Sequence, residues 1–180
     1  CKIALDTGRY TWRHNCVVSY IVIDVDTKYT VYSNLPGHTA PGGGSIPPEL
    51  CVTALKPDIV ILDKHLFELT CPGEKHIENR HIEKKSNKYA HLTSDITEYT
   101  CSVDCFEVST KGFLTTRNHT TLNKLHKFMK PGTTQSNFKS NISALSLTAS
   151  HHIFLCRNDP TFLAPPYLLP PLVARSRGPG

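Results

Sequence analysis

Lys56-Pro57-Asp58-Ile59-Val60-Ile61-Leu62, then Asp63-Lys64, then His65-Leu66-Phe67-Glu68-Leu69-Thr70 set two short apolar runs about one polar step. Neither run is long enough for a helix, and β-branched and aromatic residues recur in both, so the pair reads as a β-hairpin. Each run carries one acid in apolar surroundings, Asp58 at the opening of the first and Glu68 inside the second. A carboxylate in an apolar strand loses hydration and repels its neighbour. The pair therefore asks for a compensating charge, most simply a divalent cation held by oxygen ligands. A three-residue loop from Asp63 to His65 sets Leu62 opposite Leu66 and Asp58 opposite Thr70. Glu68 then shares a face with Asp58 at a diagonal Cα distance of about 7–8 Å. A two-residue loop would put the acids on opposite faces, because a one-residue slip turns a strand over.

Upstream, Trp12, Cys16, Val17, Tyr20, Ile21 and Ile23 recur at near-helical spacing and predict an amphipathic helix from Arg9 to about Val25. Tyr29-Thr30-Val31-Tyr32-Ser33 is β-branched and aromatic, and Asn34-Leu35-Pro36-Gly37 closes it, so it reads as a strand followed by a turn. Pro41-Gly42-Gly43-Gly44-Ser45 and Ile46-Pro47-Pro48-Glu49 break regular structure and predict a flexible or substrate-facing connection. That loop lacks the Gly-Lys-Ser/Thr ending of a phosphate loop. Downstream, Glu78 to about Ile96 is helical in composition, with Ile82, Tyr89, Leu92 and Ile96 inward and Lys84, Lys85 and Lys88 polar or interfacial. A strand from Tyr99 to Ser109 follows, then helices from about Thr120 to Met129 and from about Ser136 to Phe154. After Arg157, Pro160, Pro165, Pro166, Pro170, Pro171 and Pro179 make a proline-rich tail, expected to lack order beyond Val173.

A chain of 180 residues suits one ordinary domain with a real core. The expected division is a domain over 1–157, with its core about 9–130 and a helical extension over 131–157, and a tail over 158–180. Twenty Lys+Arg against 15 Asp+Glu give a formal charge of +5, compatible with a polyanion partner but modest beside a DNA-packing protein. No stretch approaches the roughly 20 apolar residues that span a bilayer, since Val17 to Val25 is interrupted by Ser19, Tyr20 and Asp24, so no membrane partner is expected. Seven cysteines, odd in number and without a Cys-x-x-Cys pair, read as those of a reduced, intracellular protein. Neither His119 with His126 nor Cys101 with Cys105 matches a closed four-ligand set, and no zinc is assigned. The opening at Cys1, without an initiator methionine or a signal region, reads as a piece of a longer polypeptide.

The order helix, strand, hairpin with Pro-Asp and Glu, lysine-bearing helix, strand, helix resembles the PD-(D/E)xK restriction-endonuclease-like fold. Arg9-Tyr10-Thr11-Trp12-Arg13-His14-Asn15, Lys56-Pro57-Asp58, Phe67-Glu68-Leu69-Thr70 and Asn87-Lys88-Tyr89 are similar to the restriction-like endonuclease segment of eukaryotic non-LTR retrotransposons, over roughly residues 5–130. The resemblance implies an α/β fold with a central mixed β-sheet of about four strands flanked by helices, extended by C-terminal helices and the tail. It also implies a nuclear domain that follows a reverse transcriptase region of the same parent polypeptide. That domain nicks target DNA and exposes a 3′-hydroxyl that primes reverse transcription. Taken position by position, Asp58 matches the Pro-Asp carboxylate, Glu68 matches the second metal-binding carboxylate, and the carbonyl of Leu69 completes the inner shell. Thr70 stands where the pattern has lysine; family members are similar in moving that lysine to the next helix, where Lys88, and after it Lys85, fills the role.

On this resemblance the cofactor is Mg²⁺, with Mn²⁺ able to substitute, lowering the pKa of a coordinated water and neutralising charge on the attacked phosphate. The lysine orients that water or stabilises the phosphorane. Arg9, Arg13 and His14 contact phosphates or brace the edge of the site, the bland alternative being a solvated helix face with Trp12 packed inward. Arg117, Lys124, Lys127, Lys130 and Lys139 form a basic series that holds the DNA backbone or simply faces solvent. A second class of function stays open, a nuclease fold without its chemistry that serves as a DNA-binding or interaction module.

Overall fold

The computed structural model describes residues 6–38, 43–48, 56–62, 65–72, 87, 102–159 and 161–166. Save Asn87, the residues expected to form the lysine-bearing helix lie outside the described residues, Lys85 and Lys88 among them, as do 167–180. In chain order the elements are α1 (Arg9–Asp24), β1 (Val31–Ser33), β2 (Gly44–Ser45), β3 (Ile59–Ile61), β4 (His65–Thr70), β5 (Ser102–Glu107), α2 (Asn118–His126) and α3 (Gln135–Leu155). Among the described residues, five strands form one mixed sheet in the order β2-β1-β3-β4-β5, and three helices flank it. The β1–β2 and β4–β5 pairs are parallel, and the two central pairs are antiparallel. The protein is thus α/β with a mixed sheet. None of the described helices is long and apolar enough to cross a membrane.

All of Ile59, Val60 and Ile61 are buried, so β3 is covered on both faces, as a run without polar alternation requires. Alternate residues divide between two cores. Ile59, Ile61, Phe67, Leu69 and Phe106 join Val17 and Ile21 of α1, Leu122 and Leu125 of α2, and Phe138 and Ile142 of α3. Val60 and Leu66 point the other way, packing with Ile46, Tyr32 and Val103. Period-two alternation in β3 and β4 therefore buries two apolar sets rather than one.

The hairpin register differs from the expected one. Ile59 pairs with Phe67, Val60 with Leu66 and Ile61 with His65. The strands are displaced by two residues from the Leu62–Leu66 pairing, which preserves the face of every side chain and brings Asp58 level with Glu68 rather than with Thr70. The glycine-rich loop also departs from expectation. Instead of serving only as a connection, Gly44-Ser45 pairs alongside Tyr32-Ser33 as the edge strand β2. The approach is possible because residue 43 lacks a Cβ, which would run into the carbonyl oxygen of Val31.

Helix α1 starts after Gly8, held at φ 68°, and gives way to extended backbone at Val25, which bridges Met129. Lys130 N–H donates to the Asp24 carbonyl at 2.9 Å, joining the end of α1 to the segment after α2. Helix α3 is capped by Thr134, whose hydroxyl accepts from Asn137 N–H at 3.2 Å. The C-terminal segment is not a free tail as far as Pro166. Phe162 packs against Trp12 and His152, and Trp12 Nε1 donates to the carbonyl of Pro165 at 2.9 Å.

Candidate functional site

Asp58 and Glu68 meet at the end of the β3–β4 ladder. Each carboxylate is bound to the main chain beside the other acid: Asp58 N–H donates to Glu68 Oε2 at 3.1 Å, and Leu69 N–H donates to Asp58 Oδ2 at 2.8 Å. Both acids are buried, Asp58 at 8% exposure and Glu68 at 3%. Burial at these levels removes most hydration from the two acids, and main-chain N–H groups are among the partners that replace it.

A third element reaches the pair. His14 on α1 brings Nε2 to 3.1 Å from Asp58 Oδ2, while its Nδ1 lies 3.1 Å from Asn15 Oδ1. An ionised carboxylate only accepts, so Nε2 carries the proton in this contact. The preceding residue, Arg13, donates from Nη2 to the carbonyl of Cys71 at 2.7 Å, just past the end of β4. Consecutive residues of α1 thus hold the start of β3 and the end of β4 together.

The donor set fits a hard divalent cation, since carboxylate oxygens are its usual protein ligands and Mg²⁺ retains several waters. Among the described residues, no group of three or more His, Cys, Asp and Glu side chains is placed to hold a metal ion. The protein's share would be the two carboxylates, to which the resemblance adds the main-chain carbonyl of Leu69. Lys85 and Lys88, the expected source of an ammonium group, lie outside the described residues.

The basic residues expected at DNA divide sharply. Arg9 has no exposed surface, and its guanidinium donates to Thr7 Oγ1 and to the carbonyls of Cys156 and Asp159 and lies over the ring of Phe162. A buried guanidinium with these acceptors clasps the C-terminal segment against the start of α1. Arg13 is likewise buried, between Cys71, Ser150 and the ring of Tyr10, and braces the site instead of facing a phosphate. His14 is turned toward Asp58. Lys124 is paired with Asp104 at 2.7 Å, whereas Arg117 and Lys127 are exposed. The packed side of α1 holds Trp12, as expected, together with Arg9 and Arg13.

Glu107 escaped the sequence reading. It is 2% exposed and pairs with Thr70 in the β4–β5 ladder, two positions along from the Glu68–Cys105 pair. An acid inside the apolar run Cys105-Phe106-Glu107-Val108 is the signal that could have marked it, as it marked Glu68. The pairing of His14 with Asp58 left no such trace, since it joins residues distant in the chain. Neither the family models nor the curated proteins compared with this chain give a match.

Proposed function

We propose that this chain is a restriction-endonuclease-like domain of the type found in eukaryotic non-LTR retrotransposons, a metal-dependent DNA endonuclease that nicks a target site. The observation that carries the reading is the meeting of Asp58 and Glu68, both buried, at the end of one antiparallel ladder in a mixed α/β sheet. Two buried carboxylates on adjacent strands, each bonded to the main chain of the other strand, offer the oxygen donors that a hard divalent cation takes. Their order along the chain, Pro-Asp before one strand and Glu within the next, supports the same reading.

In the proposed reaction water attacks a DNA phosphorus, the bond to the 3′-oxygen breaks, and the products are a 3′-hydroxyl and a 5′-phosphate. A bound Mg²⁺ or Mn²⁺ would acidify the attacking water and offset charge on the phosphate. Asp58 and Glu68 would hold that cation, Leu69 would offer a main-chain oxygen, and Lys88 or Lys85 would supply the ammonium group. The domain would act in the nucleus with DNA as its partner and with a reverse transcriptase region of the same polypeptide. The test is nicking of supercoiled plasmid with Mg²⁺ or Mn²⁺. Asp58→Ala and Glu68→Ala are each expected to lower the rate by at least about a hundredfold while DNA binding persists. Cleavage that survives both substitutions would overturn the proposal.

A further inference from the structure

We propose that His14 is a positioning residue for Asp58, fixing the carboxylate in the orientation in which it and Glu68 receive a divalent cation. The inference rests on the reading of those two acids as the cation-binding pair, and assigns α1 a part in their chemistry. Two donors from different elements converge on one oxygen, Asp58 Oδ2: Leu69 N–H from β4 at 2.8 Å and His14 Nε2 from α1 at 3.1 Å. A single hydrogen bond leaves a carboxylate able to pivot about it. A second donor on the same oxygen, approaching from another element, removes that freedom.

The donor itself is held. Arg13, the neighbour of His14, is buried and bound to the Cys71 carbonyl, and Trp12 is buried beneath the C-terminal segment, so this turn of α1 is fixed on both sides. The other ring nitrogen, Nδ1, lies 3.1 Å from the Asn15 side-chain amide. With one ring nitrogen toward Asp58 and the other toward Asn15, the ring is directed into the protein rather than toward a phosphate. Its Nε2 is engaged with Asp58 Oδ2, which makes it a positioning group for that acid.

The experiment titrates the full chain with Mn²⁺, following free Mn²⁺ by electron paramagnetic resonance, and measures DNA binding separately without metal. His14→Ala is expected to weaken Mn²⁺ binding by about 10- to 100-fold with DNA affinity changed by less than about twofold, and His14→Gln, whose amide can donate to Asp58, to recover most of the loss. Equal Mn²⁺ affinity in wild type and His14→Ala overturns the proposal, and so does a loss of DNA affinity matching the loss of Mn²⁺ affinity. Should His14→Ala fail to fold by circular dichroism, His14→Gln is compared with the shorter His14→Asn, and equal affinities overturn the proposal. A chain that shows the expected binding pattern but nicks no plasmid removes the nuclease reading and leaves the role of His14 standing. A wild type that binds no Mn²⁺ overturns both.

Discussion

Asn118, without exposed surface at the start of α2, closes a two-way bond with Glu107: its Oδ1 accepts from Glu107 N–H at 3.1 Å, and its Nδ2 donates to the Glu107 carbonyl at 2.6 Å. The amide acts as a substitute strand residue, satisfying the end of β5 where the ladder stops. Asn118→Ala removes both bonds and leaves two main-chain groups buried without them, so urea unfolding is expected to register a loss of roughly 2–4 kcal/mol. A loss below about 1 kcal/mol would mean that water replaces the amide there. Tyr20 supplies a pH-dependent case. Burial is the main cause that pushes its hydroxyl up to about 12, with Asp24 raising it further and Asn141 opposing. The unfolded chain releases this proton near 10.0, so over that interval it binds fewer protons than the folded chain. Stability must therefore fall as pH rises from about 10 to about 12. Tyr20→Phe gives up the 3.2 Å bond from Asn141 but is expected to flatten this part of the curve. Urea midpoints for the two proteins on either side of the interval check it; parallel curves would refute the assignment to Tyr20.

The elements were legible where one local period dominated. Trp12, Cys16, Val17, Tyr20 and Ile21 marked α1 because a helical face repeats within a few residues, and the apolar runs about Asp63-Lys64 marked β3 and β4 for the corresponding reason. Gly44-Ser45 was not legible as a strand. It owes its place in the sheet to a neighbouring strand and to the missing side chain of Gly43, and glycine reads locally as a break. Gly112 makes a similar demand between β5 and α2. It has φ 80°, and a Cβ there would lie 2.5 Å from the carbonyl oxygen of Ser143 on α3. Since Ser143 belongs to the helix backbone, it cannot yield as a side-chain end would. Gly112→Ala therefore combines a left-handed conformation with a main-chain clash, and a loss of about 2–4 kcal/mol is expected in urea unfolding. A change within about 0.5 kcal/mol would mean that the loop moves away from α3 at little cost.

Over the whole molecule, the two acids of the site could be named from their surroundings in sequence, but their closure could not. Asp58 and Glu68 meet through a register that a two-residue displacement of the hairpin fixes, and His14 arrives from a helix more than forty positions away. The arginines of α1 illustrate the same limit, because the sequence left phosphate contact, bracing and solvation open for them, while the fold gives Arg9 the carbonyls of Cys156 and Asp159. Arg9 and Trp12 clasp the C-terminal segment through the carbonyls of Cys156, Asp159 and Pro165 and through Phe162, and the next residues of the helix, Arg13 and His14, hold Cys71 and Asp58. A chain ending at Leu155 would take from the Arg9 guanidinium its two carbonyl acceptors and the Phe162 ring, and would uncover Trp12. Its stability is expected to drop by roughly 3–5 kcal/mol, as for other buried charges deprived of a partner. A chain ending at Pro166 keeps all of these contacts and is the reference against which that drop is measured. Arg9→Ala in the full chain and in the chain ending at Leu155 completes a thermodynamic cycle. If the clasp is one unit, the substitution costs far less in the shortened chain than in the full one, because its acceptors have already gone. Equal costs in both backgrounds would show that Arg9 stabilises α1 independently of the segment it touches.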